Sequence, residues 1–232
     1  MAAKPGYKAR VLNGDFSLSA KVHDANNAFT VEMLDVTTFA DDGVKRFIPG
    51  LNTSTFSLDG YVDADTYTDS AAWTDKQPVT YGPQGLALGS PVTMVDGYRS
   101  SFEIGTPVAG VAGFTLAGQT DGTTDYGVSL HDLTAETIDG SGTGHDQTVA
   151  STTAGGVAHL HVTAFSGFTG VVFTIEDSAN NSTWATIGTF TTATAVTSQR
   201  LAIAGTVRRY VRVTWDVTGT GSVTFNATFS RN

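Results

Sequence analysis

The chain has 232 residues, enough to bury a core as one large domain or two of ordinary size. It has no cysteine, which excludes disulfides and thiolate metal sites. The net charge of −9 is uneven, with 8 Lys/Arg against 19 Asp/Glu in residues 1–147 and 5 against 3 in residues 148–232. Acidity of that kind argues against tight nucleic-acid binding, because backbone phosphates are held by Lys and Arg. On charge alone it fits a surface that keeps a protein soluble better than one that nucleic acid passes without sticking. No apolar run approaches the roughly 18 residues of a membrane span, and the first residues lack the apolar core of a signal peptide. Folding in a cytoplasm without membrane insertion is therefore expected.

Glycines number 26, Thr, Ser and Val are abundant, and Glu, Lys and Leu are scarce, which points to an all-β protein with one short helix. Tyr7 to Asn13 reads as a first strand, and Asn13-Gly14 supplies turn residues for a tight hairpin. Phe16, Leu18, Ala20 and Val22 alternate with Ser17, Ser19, Lys21 and His23, the period of a half-buried strand. Asp24 to Asn27 reads as a turn. Phe29, Val31 and Met33, opposed by Thr30 and Glu32, form the strand after it. Farther on, Phe56, Leu58, Gly60 and Val62 alternate with Ser57, Asp59, Tyr61 and Asp63.

The connection between those last two strands, near 37–50, is longer than a tight hairpin needs. It mixes Phe39, Phe47, Ile48 and Leu51 with Asp41, Asp42, Lys45 and Arg46, whereas a solvated linker carries few large apolar groups. It reads as a contact arm. Going out and back at ~3.3 Å per residue, it reaches roughly 20 Å.

Ala64 to Lys76 is the one plausible helix, with acids early, Lys at its end, and Tyr67 and Ala71 on one packing face. Pro78 to Gly82 is extended. Strands follow at Val92 to Gly105, around Phe114, Leu116 and Gly118, and around Tyr126, Val128 and Leu130. Asp139 to Gly144, DGSGTG, has nothing to pack and reads as a linker. Beyond it, alternating runs at 159–164, 173–176, 184–190, 211–217 and 222–229 suggest about six short strands, the last two separated at Gly219-Thr220-Gly221. The architecture expected is thus a β-sandwich or half-barrel over residues 1–147 and a small β-sandwich over 148–232.

Sites for chemistry are sparse. His159 and His161 share a strand face and could hold a metal with a third ligand, but a solvent-facing structural pair fits better. Asp41 and Asp42 fit a turn, or a salt bridge between subunits with Lys45 or Arg46, better than a cation site. Asp121 to Asp125 only half fits a calcium loop. Arg208, Tyr210 and Arg212 share a face and read as a surface or interface stripe, with Arg209 pointing the other way. No nucleophile elbow or phosphate loop appears, so no catalytic residue and no cofactor are expected.

A Thr-Thr-Phe turn, the basic pair Lys45-Arg46, Ile48-Pro49-Gly50-Leu51, and a Thr/Ser-rich strand ending in Asp59-Gly60-Tyr61-Val62-Asp63 together resemble the major tail tube proteins of long-tailed bacteriophages. Gly14 to Ser19 is similar to the same family, and Gly205 to Val213 resembles an added sandwich module on some of its members. The resemblance implies a structural virion protein forming hexameric rings whose sheets join into one barrel, stacked into a tail tube that carries the genome. It implies an inter-ring loop, here Thr38, Phe39, Asp41, Asp42, Lys45, Arg46, Phe47 and Ile48. It also implies tape measure, terminator and distal tail proteins as partners, and assembly in the host cytoplasm. Glu32, Asp59 and Glu103, with Ser17, Ser19, Ser57 and Lys21, are the expected lumen-facing residues. Arg208, Tyr210 and Arg212 would lie on the outer domain. A soluble carbohydrate-binding protein using Trp184 and Trp215 as exposed aromatics is the alternative.

Overall fold

The computed structural model describes residues 6–41 and 43–232. It is nearly all β, at 62% strand with one α-helix. The strands are β1 (Arg10–Asn13), β2 (Phe16–Ser17), β3 (Val22–Asp35), β4 (Phe47–Tyr61), β5 (Gln77–Gly82), β6 (Pro91–Gly105) and β7 (Gly113–Thr120). They continue as β8 (Asp125–Glu136), β9 (Gly140–Ser141), β10 (His145–Asp146), β11 (Gly156–Ser178), β12 (Ala185–Thr189), β13 (Thr197–Ile203) and β14 (Tyr210–Arg231). Helix α1 spans Ala64–Ala72. The chain groups into two units, one of 1–21, 77–96 and 125–232, the other of 22–76 and 97–124. The division expected at residue 147 does not follow this grouping, because β8 pairs with β14 along Val128–Glu136.

The second unit is a four-stranded antiparallel sheet in the order β3-β4-β7-β6. Its alternation works as the sequence implies. Phe56, Leu58, Phe114 and Leu116 are buried on one face, while Thr55, Ser57, Asp59 and Thr115 lie on the other, more open one. Helix α1 covers the buried face, capped by Asp63, whose carboxylate accepts the Thr66 N–H at 2.9 Å. The expected Tyr67/Ala71 packing face is wrong: both are exposed, and Thr66, Ser70 and Trp73 turn inward. Trp73 stacks on Phe56 at 5.7 Å and donates its indole N–H to Asp75 O at 2.7 Å. The Phe56 ring lies flat over Gly118, so a Cβ at that position would overlap it.

Asp24 to Asn27 is not a turn. β3 runs straight through it, with Asp24 opposite Asp59 and Asn26 opposite Ser57. Turn-prone residues tolerate a strand here because β3 is an edge, held by one neighbour and half exposed. Beyond Thr55, where β7 ends its pairing, β3 and β4 continue as a bare two-stranded ribbon to Asp35 and Phe47. That stretch, six residue pairs interrupted by one bulge, extends roughly 24 Å at strand rise.

In the first unit β11 and β14 form one antiparallel ladder along nearly their whole lengths of 23 and 22 residues. The separate short strands expected here are fused. Gly219 does not reverse the chain; with φ of +98° it sits opposite Phe168, and Gly167 has φ of +77°. These residues produce a bulge at which both strands coil and continue. Phe173, Ile175, Val211, Val213, Trp215, Phe225 and Phe229 form the main core. A second cluster gathers Leu12, Leu86, Val92, Met94 and Val157. The first strand is shorter than expected, Gly6–Lys8 being a 3-10 turn, and the hairpin turn is Gly14-Asp15. The run from Phe16 to Val22 breaks after Ser17, where Lys21 N bonds to Leu18 O.

The expected linker is also corrected. Gly140-Ser141 and His145-Asp146 pair with β14, and Gly142 N–H donates to Val213 O at 2.8 Å. Asp139 accepts the Val217 N–H, and Ile138 O accepts the Trp215 indole N–H. Segment 138–146 is an edge strand, not a tether.

Candidate functional site

The ribbon tip, residues 36–41 and 43–46, is held from within by its own polar groups. Val36 N donates to Arg46 O, and Arg46 N to Thr37 Oγ1, both at 2.9 Å. Thr37 in turn donates to the Asp35 carboxylate through its hydroxyl and N–H. Asp41 accepts Thr38 N–H at 2.7 Å and Thr38 Oγ1 at 2.9 Å, and pairs with Arg46. These bonds hold the carboxyls of Asp35 and Asp41 below their usual range, the Thr37 hydroxyl leading at Asp35 and the Thr38 N–H at Asp41. Lys45 stands 3.7 Å from Asp35. Among the described residues, Asp35, Asp41, Lys45 and Arg46 thus pair within one chain. Asp42 lies outside the described residues.

With the polar groups turned inward, the apolar ones point out. Phe39 is 110% exposed, and Val44, Phe47, Ile48 and Leu51 are exposed too. The ribbon below adds Phe29, Met33 and Leu34. A monomer seldom presents so much contiguous apolar surface on a bare ribbon.

The open face of the four-stranded sheet carries the second feature. Asp24, Asp59, Thr115 and Glu103 stand opposite one another in register across β3, β4, β7 and β6. Thr115 Oγ1 donates to Asp59, and an open hollow of about 560 Å³ includes His23, Asp24, Asp59 and Glu103 in its lining. Like charges face each other across strands here, an arrangement that costs stability. Ser57 lies on the same face next to this row. The sequence alone places Asp24 in a turn; only its pairing with Asp59 shows which face it takes.

The other expected lumen residues are elsewhere. Glu32 is out on the ribbon at a bulge between Val31 and Met33. Ser17, Ser19 and Lys21 belong to the other unit. Ser19 serves structure there, its hydroxyl bonding Val11 N and O at 3.1 and 3.2 Å and accepting from Ser17.

The arginine stripe is fully engaged within the first unit. Arg208 pairs with Asp177 at 3.4 Å, Arg209 with Asp146 at 2.7 Å and Arg212 with Glu176 at 2.7 Å. Arg209 covers the Tyr210 ring at 5.4 Å, and Arg212 covers Trp184 at 4.2 Å. Trp215 is only 7% exposed and meets Phe225 and His131 in the core. The aromatic pair expected for carbohydrate binding is therefore not exposed as a pair. Asp121 and Asp125 are bonded to Lys76 and Arg200, each at 3.2 Å.

His159 and His161 are not solvent-facing: both are completely buried. Their strand is covered on both faces, so the polar face meets Thr80 instead of water, with His161 Nε2 at 2.8 Å and His159 Nδ1 at 3.3 Å from its hydroxyl. Among the described residues no group of three or more His, Asp or Glu is placed to hold a metal ion, and no helix is long and apolar enough to cross a membrane.

No family profile and no curated protein match the sequence. Among solved structures the chain is similar to one from the virion of a native gene transfer agent particle (18% identity, TM-score 0.44, 53% of this chain and 98% of that one). It is also similar to one from the C6-symmetric tail of an empty gene transfer agent particle (14%, 0.45, 53% and 98%). A third is the SPP1 Dit (gp 19.1) protein, a hub of the adsorption apparatus in phages infecting Gram-positive bacteria (12%, 0.38, 94% and 98%).

Proposed function

We propose that this chain is the major tail tube subunit of a long-tailed phage or prophage, polymerising as stacked hexameric rings into the conduit for DNA ejection. The observation that carries the reading is the arm: an internally braced ribbon and tip on which Phe29, Met33, Phe39, Phe47, Ile48 and Leu51 are exposed in the single chain. A two-stranded ribbon is marginal in water by itself. Burial against the next ring supplies the missing stabilisation.

The sheet supports ring closure. Its two edges, β3 and the 97–105 part of β6, run antiparallel because three antiparallel pairings separate them. Copies related by rotation can then join β6 to β3 with the ladder antiparallel throughout, which removes both edges. Asp24, Asp59 and Glu103, flanked by Ser57 and Thr115, give the open face a negative row that repels phosphate and lets DNA slide. Arm contacts do not close along the axis, so the polymer is open-ended. By the family resemblance a tape measure and a terminator set its length, distal tail proteins complete it, and assembly takes place in the host cytoplasm. The long β11–β14 ladder belongs to the part that would face outward.

Negative-stain electron microscopy of the purified protein, beside a variant lacking Thr38 to Arg46, tests the reading. Tubes or stacked rings from the intact chain, absent from a variant that keeps its β circular dichroism, support it. Tubes from both would remove the arm from its role. A monomer that instead binds a glycan array would favour the carbohydrate reading.

A further inference from the structure

His159 and His161 sit on β11 where β1, β2 and β5 pack over it, and both rings are sealed from solvent. Their hydrogen bonds have one consistent direction. Gly14 O only accepts, so His161 Nδ1, 2.6 Å away, carries the hydrogen. His161 Nε2 is then an acceptor and takes the Thr80 hydroxyl proton at 2.8 Å. The Thr80 oxygen in turn accepts from His159 Nδ1 at 3.3 Å, leaving His159 Nε2 a buried lone pair without a partner.

The chain His159 to Thr80 to His161 to Gly14 is thus complete only while both imidazoles are neutral. A proton added at His161 Nε2 sets two N–H donors on one hydroxyl oxygen and leaves the Thr80 proton without its acceptor. A proton added at His159 Nε2 meets no acceptor at all.

The surroundings offer no compensating charge. On β13, Arg200 stands opposite His159 and Ser198 opposite His161, and Arg200 is itself bonded to Asp125 at 3.2 Å. On β14 the facing residues are Thr228 and Asn226. On the overlying strands they are Thr80 and the Gly14 carbonyl. The one full charge in that set is positive, so either imidazolium would be unpaired in a closed interior.

We infer that the His159–His161 pair is an acid-operated latch, holding β1, β2 and β5 against β11 while neutral and releasing them when either ring takes a proton. The latch is independent of the tube reading. Burial pushes both rings down, His161 to about 4 and His159 well below its ordinary 6.5. A group whose folded value is depressed in this way binds more protons unfolded, so its stabilisation is present near neutrality and is lost as pH falls through the interval from 6.5 to 4. For His161 alone, taking its value from 6.5 unfolded to about 4 folded, the ratio of open to closed molecules rises roughly fifty-fold between pH 7 and pH 4.5.

The test uses the full chain at pH 7 and pH 4.5. Amide exchange is followed at Val11, Leu12 and Val79 to Tyr81, with Val211 to Trp215 as an internal reference. The histidine rings are titrated by NMR in the same samples. The expected result is a roughly fifty-fold loss of protection on β1 and β5 at pH 4.5, with the reference amides losing less. In the His159→Leu/His161→Gln variant, whose side chains do not titrate, the loss should shrink to a few-fold. Equal pH dependence in both proteins overturns the latch. If the variant does not fold, the wild-type titration decides: a His161 ring that protonates near 6.5 in the folded chain sinks the inference, and one that stays neutral to about pH 4 upholds it.

Discussion

Phe39 separates an assembly role from a folding role more cleanly than any other residue. At 110% exposure it touches nothing that stabilises the single chain. Phe39→Ala should therefore leave the melting temperature of the dispersed subunit unchanged. In a tube the same side chain would be buried, and burial of a Phe contributes about 1.5–3 kcal/mol. Losing about 2 kcal/mol per subunit addition raises the critical concentration for polymerisation roughly thirtyfold. Sedimentation of the polymer against free subunit, over a dilution series, reads that number directly. The alanine keeps the Thr38–Asp41–Arg46 bonds that shape the tip, so the platform survives the change. An unchanged critical concentration would refute the claim that the tip is a contact surface. A fall in subunit melting temperature would show that Phe39 serves the fold instead.

Two glycines test packing. Gly118→Ala drives a methyl into the Phe56 ring and Gly140→Ala one into Trp215; each should cost about 1–3 kcal/mol in chemical denaturation, and a neutral Gly140→Ala would reinstate the linker. Asp59→Lys with Glu103→Lys reverses the row on the open face, and tubes of the double variant should retain DNA at low salt in a co-sedimentation assay while the native tubes do not. Asp146 is held at about 2 by the Arg209 guanidinium and the Thr148 N–H. Its pairing therefore contributes above its ordinary 3.8 and is lost as pH falls from there towards 2. In Arg209→Gln the Asp146 carboxyl, followed by carbon NMR, should titrate closer to its ordinary value.

Alternation was legible wherever a strand has one wet face. Phe56 and Leu58, Phe114 and Leu116, and Val211 to Trp215 all bury the side that their period assigns to the core. It misleads where both faces are covered. His159, His161, Asn226 and Thr228 are polar and alternate with apolar neighbours, so a single-layer reading turns them to solvent, yet all four are buried. Nothing local distinguishes a polar residue facing water from one facing Thr80 across a second layer. The projecting ribbon was legible in part, because the connection near 37–50 is longer than a tight turn needs and carries large apolar residues; what they contact belongs to the proposal above.

Glycine shows most plainly what a single chain of letters withholds. DGSGTG at 139–144 has the composition of a flexible tether, and composition alone supports that reading. In the fold two of its glycines are there because there is no room for a side chain: Gly140 lies against Trp215, and Gly144 against Trp184 and Asn181. The residue supplies close approach, not freedom. The aromatic rings that make small residues necessary lie about 40 to 75 positions away in the sequence, at Trp184 and Trp215. The same two tryptophans suggested a sugar-binding surface only because their partners could not be seen. Placing Arg212 over one and Gly140 under the other accounts for both at once, and it shifts the weight of the functional question from the aromatics to the arm.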